Sequence, residues 1–276
     1  MRHRLTLAIL IFGSFLKSAV ADTYSYPGGI AELVVVKQSN DIPDVKFGTN
    51  EPVIIEYRDH WRILIGLSLK TLPGEYVAYI KPNIEGVLGR YEKVIVKQHI
   101  YPFSEYPQLG PETSKHAVFK THQSFSDLDY SNTQQPSLPL RWPVEGRWSN
   151  NFGHTLYDAK RETLLTPNAI VISTTKLSPI VAPEAAIVSK IETSESTGLS
   201  TVFLDHGRGL YSILSGLSDL TVELGNGIVA GAVIGKLTAR NNQSSDNSKL
   251  NIQTLVWQTV INKTYVDPNI LTSLEP

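Results

Sequence analysis

The run from Val202 to Gly235 constrains this chain more than any other stretch. An apolar run at Val202–Leu204 leads into a tight turn expected at Asp205–Gly209, and a second apolar run follows at Leu210–Leu214. Gly225, Gly227, Gly231 and Gly235 then divide short segments from one another. Glycine supplies backbone conformations that other residues resist, so closely spaced glycines between β-type runs mark turns rather than the interior of a helix. The stretch predicts a compact all-β barrel or sandwich.

The rest of the chain follows the same pattern. Ile30–Val36, Val53–Tyr57, Trp61–Leu69, Tyr76–Ile80 and Lys93–Ile100 are short β-type runs, separated by turn formers such as Leu72-Pro73-Gly74. They predict a small β-sandwich over residues 22–103 with no catalytic constellation; His60 reads as a solvated turn residue. Residues 104–139 are polar and rich in Ser, Thr, Gln and Pro, which predicts a linker with a short helix around Ala117–Phe125. His116 and His122 in that segment are six positions apart, a spacing that does not place two ligands on one helix face. Residues 140–276 return to strands, at Ala169–Ser173, Ile180–Ala182, Ile187–Ile191, Thr201–Leu204 and Ile252–Val260, with no internal repeat.

Residues 1–21 read as a secretory signal. Arg2 and Arg4 form its positive end, Leu5–Leu16 its apolar core, and Ala19-Val20-Ala21 a small-x-small cleavage site that would leave Asp22 first. The apolar core falls short of the roughly 20 residues a spanning helix needs, so no membrane span is expected after cleavage. Removing Arg2, Arg4 and Lys17 takes 25 basic residues to 22 against 26 acidic ones, a balance of −4 that gives no case for nucleic acid. The chain has no cysteine, which excludes disulfides, thiolate metal sites and cysteine nucleophiles. An exported chain without disulfides suits the periplasm or cell surface of a bacterium.

Several short motifs then fall into an ordered series: Trp142-Pro143-Val144-x-Gly146, Asn151-Phe152-Gly153, Pro179-Ile180-Val181-Ala182-Pro183 and Asp205-His206-Gly207-Arg208-Gly209. Val222-x-x-Gly225, Val229-Ala230-Gly231, Ile234-Gly235 and Val266-Asp267-Pro268 continue it. Over residues 140–272 this series resembles the lysostaphin/LytM-like zinc metallopeptidases of peptidase family M23, which cut peptide bridges in peptidoglycan. The N-terminal part is more loosely similar to the β-sandwich module that precedes some of them. The resemblance implies a duplicated-hybrid-type β-barrel or sandwich in residues 140–276.

It also implies a zinc ion held by His, Asp and His with an open position for water, and a further His acting on that water. Carried onto this chain, the first His and the Asp fall on Pro167 and Val171; a one-residue shift would put the His on Asn168, which is no better a ligand. The base His falls on Gly216, and the terminal His-x-His falls on Thr254 and Val256. From residue 140 onward the only histidines are His154 and His206. The expectation is therefore a zinc site that is lost, no cofactor, and no metal-dependent catalysis. Three substitutes come into question: a relocated site on His154 and Asp158, a triad of Asp205, His206 and Ser212 or Ser215, and a serine nucleophile in a known motif. The first reads equally as a solvated loop, the second is opposed by the opposite facing of neighbours in a strand, and no G-x-S-x-G or S-x-x-K is present.

The resemblance thus points to a non-catalytic relative that binds peptidoglycan, or regulates or scaffolds a cell-wall hydrolase or amidase, through the former cleft. Arg147, Trp148, Asn151, His154 and Trp257 are the expected contacts, with core packing as the other reading of both tryptophans. The polar run Ala239–Lys249 is expected as a loop beside that cleft. An active endopeptidase with an unorthodox site and a purely structural envelope module are the rival readings.

Overall fold

The computed structural model describes residues 22–105, 128–149, 152–158, 163–174, 178–237 and 253–274. The expected signal segment, the expected helix at 117–125 with His116 and His122, and the expected loop at 239–249 lie outside the described residues. The fold is all-β, as the sequence predicts, with one short helix among the described residues.

The N-terminal strands are β1 (Thr23–Ser25), β2 (Ile30–Val36), β3 (Asp44–Lys46), β4 (Val53–Glu56), β5 (His60–Gly66), β6 (Gly74–Lys81) and β7 (Arg90–Val96). They form a four-stranded sheet, β1-β7-β6-β3, and a three-stranded sheet, β2-β5-β4. Alternation decides which side chains meet between them: Ala31, Leu33 and Val35 of β2 face Ala78 and Ile80 of β6 and Val94 and Val96 of β7. β5 breaks the alternation, being buried at every position from Trp61 to Gly66. Trp61, Ile63 and Ile65 point into the sandwich, while Leu64 points the other way into a second core. A strand covered on both faces reads as a nearly continuous apolar run, and Trp61–Leu67 is one apart from Arg62, whose guanidinium pairs with Glu32.

That second core belongs to the C-terminal half, whose strands begin with β8 (Phe103–Glu105), β9 (Arg147–Ser149), β10 (Thr155–Asp158), β11 (Thr163–Leu165) and β12 (Ile170–Thr174). β13 (Pro179–Val181), β14 (Ala186–Thr193), β15 (Ser200–Gly207) and β16 (Leu210–Ser218) follow. β17 (Gly227–Ile228), β18 (Val233–Leu237), β19 (Gln253–Ile261), β20 (Thr264–Val266) and helix α1 (Pro268–Ser273) complete the chain. The main sheet runs β17-β14-β15-β16-β19-β12-β9. The β15–β16 turn is narrower than the sequence predicts: Gly207 pairs with Leu210, and only Arg208 and Gly209 lie outside the ladder. Both have positive φ, 54° and 86°, the requirement of a two-residue hairpin that matches strand twist. Asp205 and His206 are therefore strand residues.

The two halves share buried surface. Ile30, Val53, Ile55 and Leu64 pack into the same cluster as Leu140, Phe152, Ile261, Val266 and Leu271. Gly66 is the contact point: a Cβ there would lie 3.2 Å from Ile261, Thr264 and Val266. The amide of Asp267 donates to the carbonyl of Gly28 (3.0 Å), and Asp267 also caps α1 by accepting from the amide of Asn269 (3.0 Å).

Residues 128–138, expected as part of a linker, are fastened to the face of the main sheet that carries Phe203, Tyr211 and Ile213. Leu128 and Tyr130 insert beside Phe203, Tyr211, Ile213 and Val260. The amide of Arg208 donates to the carbonyl of Asn132 (2.9 Å), and the Tyr211 hydroxyl donates to the carbonyl of Asp129. Asp129 and Asn132 fold the segment on itself by accepting from the amides of Ser131 and Gln134. Its polarity serves local turns, while two apolar side chains do the anchoring.

Candidate functional site

β12, β19 and β16 lie side by side, and their register settles where the expected ligand positions fall. Val171 pairs with Val256, and Val256 pairs with Ser215, the neighbour of Gly216. Thr254 pairs with Ser173 two positions along. Paired residues in adjacent strands share a face with Cβ atoms about 5 Å apart, so Val171, Ser173, Thr254 and Val256 form one patch. Ile170, Ile172, Leu255 and Trp257 occupy the opposite face, in the core. Pro167 is buried just before β12, its carbonyl accepting from the amide of Gly153 (2.8 Å). Four of the five positions thus come together on three neighbouring strands, and the fifth stands where the chain enters β12.

Gly216 is more than a missing side chain. The β15–β16 register shifts beside it, from Ser200↔Leu217 to Thr201↔Ser215, which makes it the extra residue of a bulge. Its φ is +101°, and a Cβ there would lie 2.8 Å from the Thr254 carbonyl oxygen. No side chain fits without moving backbone, and an imidazole begins with that same Cβ.

The donor set on this face does not fit zinc. Tetrahedral zinc takes imidazole nitrogen, carboxylate oxygen or thiolate, and these positions offer two valines, a glycine and one threonine hydroxyl. Val171 and Val256, 9% and 3% exposed, pack as aliphatic floor. Among the described residues no three His, Cys, Asp or Glu side chains are grouped to hold a metal ion.

Pairing also exposes a feature that motif order does not show. Thr201, Ser215, Val256 and Val171 form one row across β15, β16, β19 and β12. The Thr201 hydroxyl donates to the Ser215 hydroxyl at 2.9 Å. Ser173 pairs with Thr254 on one side and with Arg147 on the other, giving a second row beside the first. Parity counted along β16 from Ile213 to Ser215 would have found it, since alternate residues of a strand share a face. The two rows supply hydroxyls, an apolar floor and one guanidinium at the margin. They can hold a ligand by hydrogen bonds and contact; they contain no general base.

His206 sits on the other side of the sheet, with no exposed surface. Its Nδ1 lies 3.0 Å from the Ala185 carbonyl, which can only accept, so Nδ1 carries the proton. Nε2 then accepts from the Ser212 hydroxyl (2.9 Å), and the Ser212 oxygen accepts from the Trp257 indole N–H (3.2 Å). A serine beside a histidine is the start of a nucleophile arrangement. Here the third partner is a carbonyl, and Ser212, His206 and Trp257 are all fully buried. Asp205 points to the opposite face as expected, accepting from the amide of Gly207 (2.8 Å), so no triad forms. Burial lowers the His206 pKa from 6.5 to about 4 and keeps the ring neutral.

The expected contacts divide. Arg147 is exposed on edge strand β9 and faces the cleft rows, opposite Ser173. Trp148, opposite Ile172, is turned to the far face, where it stacks on Trp142 at 5.4 Å and remains 49% exposed. Trp257 is a correction: it is wholly buried, meets Trp142 edge-on at 5.7 Å, and is core rather than groove. His154 is half-buried just before β10, which ends at Asp158. Asn151 lies outside the described residues.

Comparison with known proteins agrees with the fold. The model of peptidase family M23 matches residues 166–268, which takes in β12 through Pro268. A crystal structure from Pseudomonas aeruginosa, described as a peptidase M23, superposes with a TM-score of 0.62 at 23% identity, over 89% of this chain and 94% of that one. A zinc containing peptidase from Vibrio cholerae gives a TM-score of 0.40 at 15% identity, over 51% of this chain and 41% of that one. Lysostaphin from Staphylococcus simulans gives 0.37 at 14% identity, over 54% and 58%. No curated protein matches the chain. Residues 166–268 are a domain of peptidase family M23.

Proposed function

We propose that this chain is an exported, non-catalytic peptidase-like protein of the bacterial envelope, which binds peptidoglycan or a cell-wall hydrolase through the β16-β19-β12 face. One observation carries the reading. The positions that the family resemblance assigns to ligands and base lie together in register, yet they present Val171, Val256, Thr254 and a glycine whose backbone leaves no space for a side chain. A face of hydroxyls over two valines suits an extended peptide, held by backbone and hydroxyl hydrogen bonds, and needs no metal to do so. No helix among the described residues is long and apolar enough to cross a membrane, and the family's cell-wall setting favours an extracytoplasmic site of action.

The test is retention of purified chain 22–276 on peptide-bearing sacculi and on immobilised envelope hydrolases. Thr254→Trp fills the exposed end of the face without touching the core. Retention by wild type that drops about tenfold or more in Thr254→Trp supports the reading. Retention by neither target, or equal retention of the variant, contradicts it.

A further inference from the structure

The outer face of the sheet β1-β7-β6-β3 lies on the other half of the molecule. A sheet with one wet face, such as this one with β1 parallel to β7 and the other pairs antiparallel, normally turns polar side chains outward. Here Tyr24, Val77, Tyr79, Tyr91 and Ile95 take outward positions, and Tyr24, Val77 and Tyr91 are 53%, 54% and 74% exposed. The Tyr79 and Tyr91 rings lie 5.1 Å apart in directly paired positions. Tyr24 is paired with Ile95, four residues beyond Tyr91 on β7, so the tyrosines span about 13 Å along the strand.

Lysines surround these rings. Lys97 lies over the Tyr24 ring at 3.9 Å, Lys93 meets Glu75 at 3.1 Å, Lys46 meets Asp44 at 3.5 Å, and Lys81 pairs with Asp44 across the strands. With Asp22 near Lys93, four lysines face three carboxylates, a balance of +1. Residues 22–276 sum to −4, so everything else carries −5. The face is a cationic, aromatic surface on an acidic protein.

We propose that this face binds an anionic polysaccharide strand. Tyrosine rings offer flat apolar surface to the C–H faces of sugar rings and a hydroxyl at the edge for their polar groups. Lysines at the rim meet carboxylates on the same polymer and make its capture salt-dependent. A linear glycan of a few units lies across a flat sheet face, whereas an extended peptide seeks strand edges or pockets. Nucleic acid uses the same pairing of rings and cations but draws on a far larger positive balance than +1. The inference goes beyond the cleft reading and does not depend on it, since the two faces belong to different sheets.

The experiment titrates chain 22–276 with wall glycan strands stripped of their peptides, before and after amidation of their carboxylates. Poly-glutamate and a dT20 oligonucleotide serve as the two other polymers. Tyr24→Ser/Tyr91→Ser and Lys81→Gln/Lys97→Gln change exposed side chains only, and unchanged melting temperatures confirm that both fold. The expected result is carboxylate-dependent glycan binding that weakens about tenfold or more in the tyrosine variant and severalfold in the lysine variant. Thr254→Trp binds these strands as wild type does. Absent binding, equal binding of the amidated strands or of either double variant, or tighter binding of poly-glutamate or dT20, overturns the proposal.

Discussion

Gly216→Ala is the smallest change that asks whether the backbone leaves room for a side chain at the position that the family resemblance assigns to the base. The new methyl adds two costs. A non-glycine residue at φ +101° costs about 1–3 kcal/mol in backbone strain. The methyl also sits 2.8 Å from the Thr254 carbonyl oxygen, which must move, at about 1 kcal/mol for each ladder hydrogen bond lost. The sum is about 2–4 kcal/mol, a melting-temperature fall of roughly 5–15 °C for a protein of this size. Gly225→Ala is the control: its φ is +82°, but nothing lies within 4 Å of the methyl that alanine would add, so only backbone strain of about 1 kcal/mol remains. Thermal and urea melts of both variants against wild type give the comparison. If Gly216→Ala melts within a degree of wild type, or no lower than Gly225→Ala, the strand relaxes freely and the claim that no imidazole fits is wrong.

Two further outcomes follow from buried groups and shared surface. His206 has a folded pKa of about 4 against 6.5 free, so between those values the unfolded chain binds a proton that the folded chain refuses. Stability therefore falls as pH drops from 6.5 to 4, by about 3 kcal/mol in all, and is unaffected by this group above 6.5. Burial raises the Asp205 pKa, which acts with the opposite sign, so the readout is urea stability of wild type minus His206→Gln across that window; a flat difference refutes the assignment. At the junction, Ile30, Val53, Ile55 and Leu64 are each at most 8% exposed, worth about 1.5–3 kcal/mol apiece, a sum comparable to a whole domain's stability. Chain 22–276 should unfold in one transition and fragment 140–276 should lack a cooperative melt; two separated transitions would contradict the shared core.

Strands written as apolar runs are legible in the sequence. Ile30–Val36 has the predicted bounds, and β5, β12 and β19 fall within a few residues of theirs. The short strands β8, β10 and β11 are not, because β8 pairs with β10 from far away in the chain and carries no local pattern long enough to register. The strand at Trp61–Leu69 can be read; that a second module covers the other face of β5 cannot. At the site, motif order gives the positions of Val171, Gly216, Thr254 and Val256, and register then places Val171, Thr254 and Val256 on one face with Gly216 in the bulge beside them. The His206–Ser212–Trp257 network stays hidden because it depends on strand pairing: Ser212 lies opposite Leu204, and His206 follows two positions on along the same face. Trp257 departs from its expected place for a simpler reason: an aromatic beside a cleft strand packs inward or outward by parity, and its parity follows Leu255 into the core.

The central proposal is that residues 166–268 keep the sheet of the M23 family without its metal chemistry. The direct measurement is zinc content of chain 22–276 after equilibration with zinc and desalting, run beside a muropeptide digestion with and without chelator. The account predicts far less than one zinc per chain and no product that chelator abolishes. One tightly held zinc per chain with chelator-sensitive cleavage would contradict it.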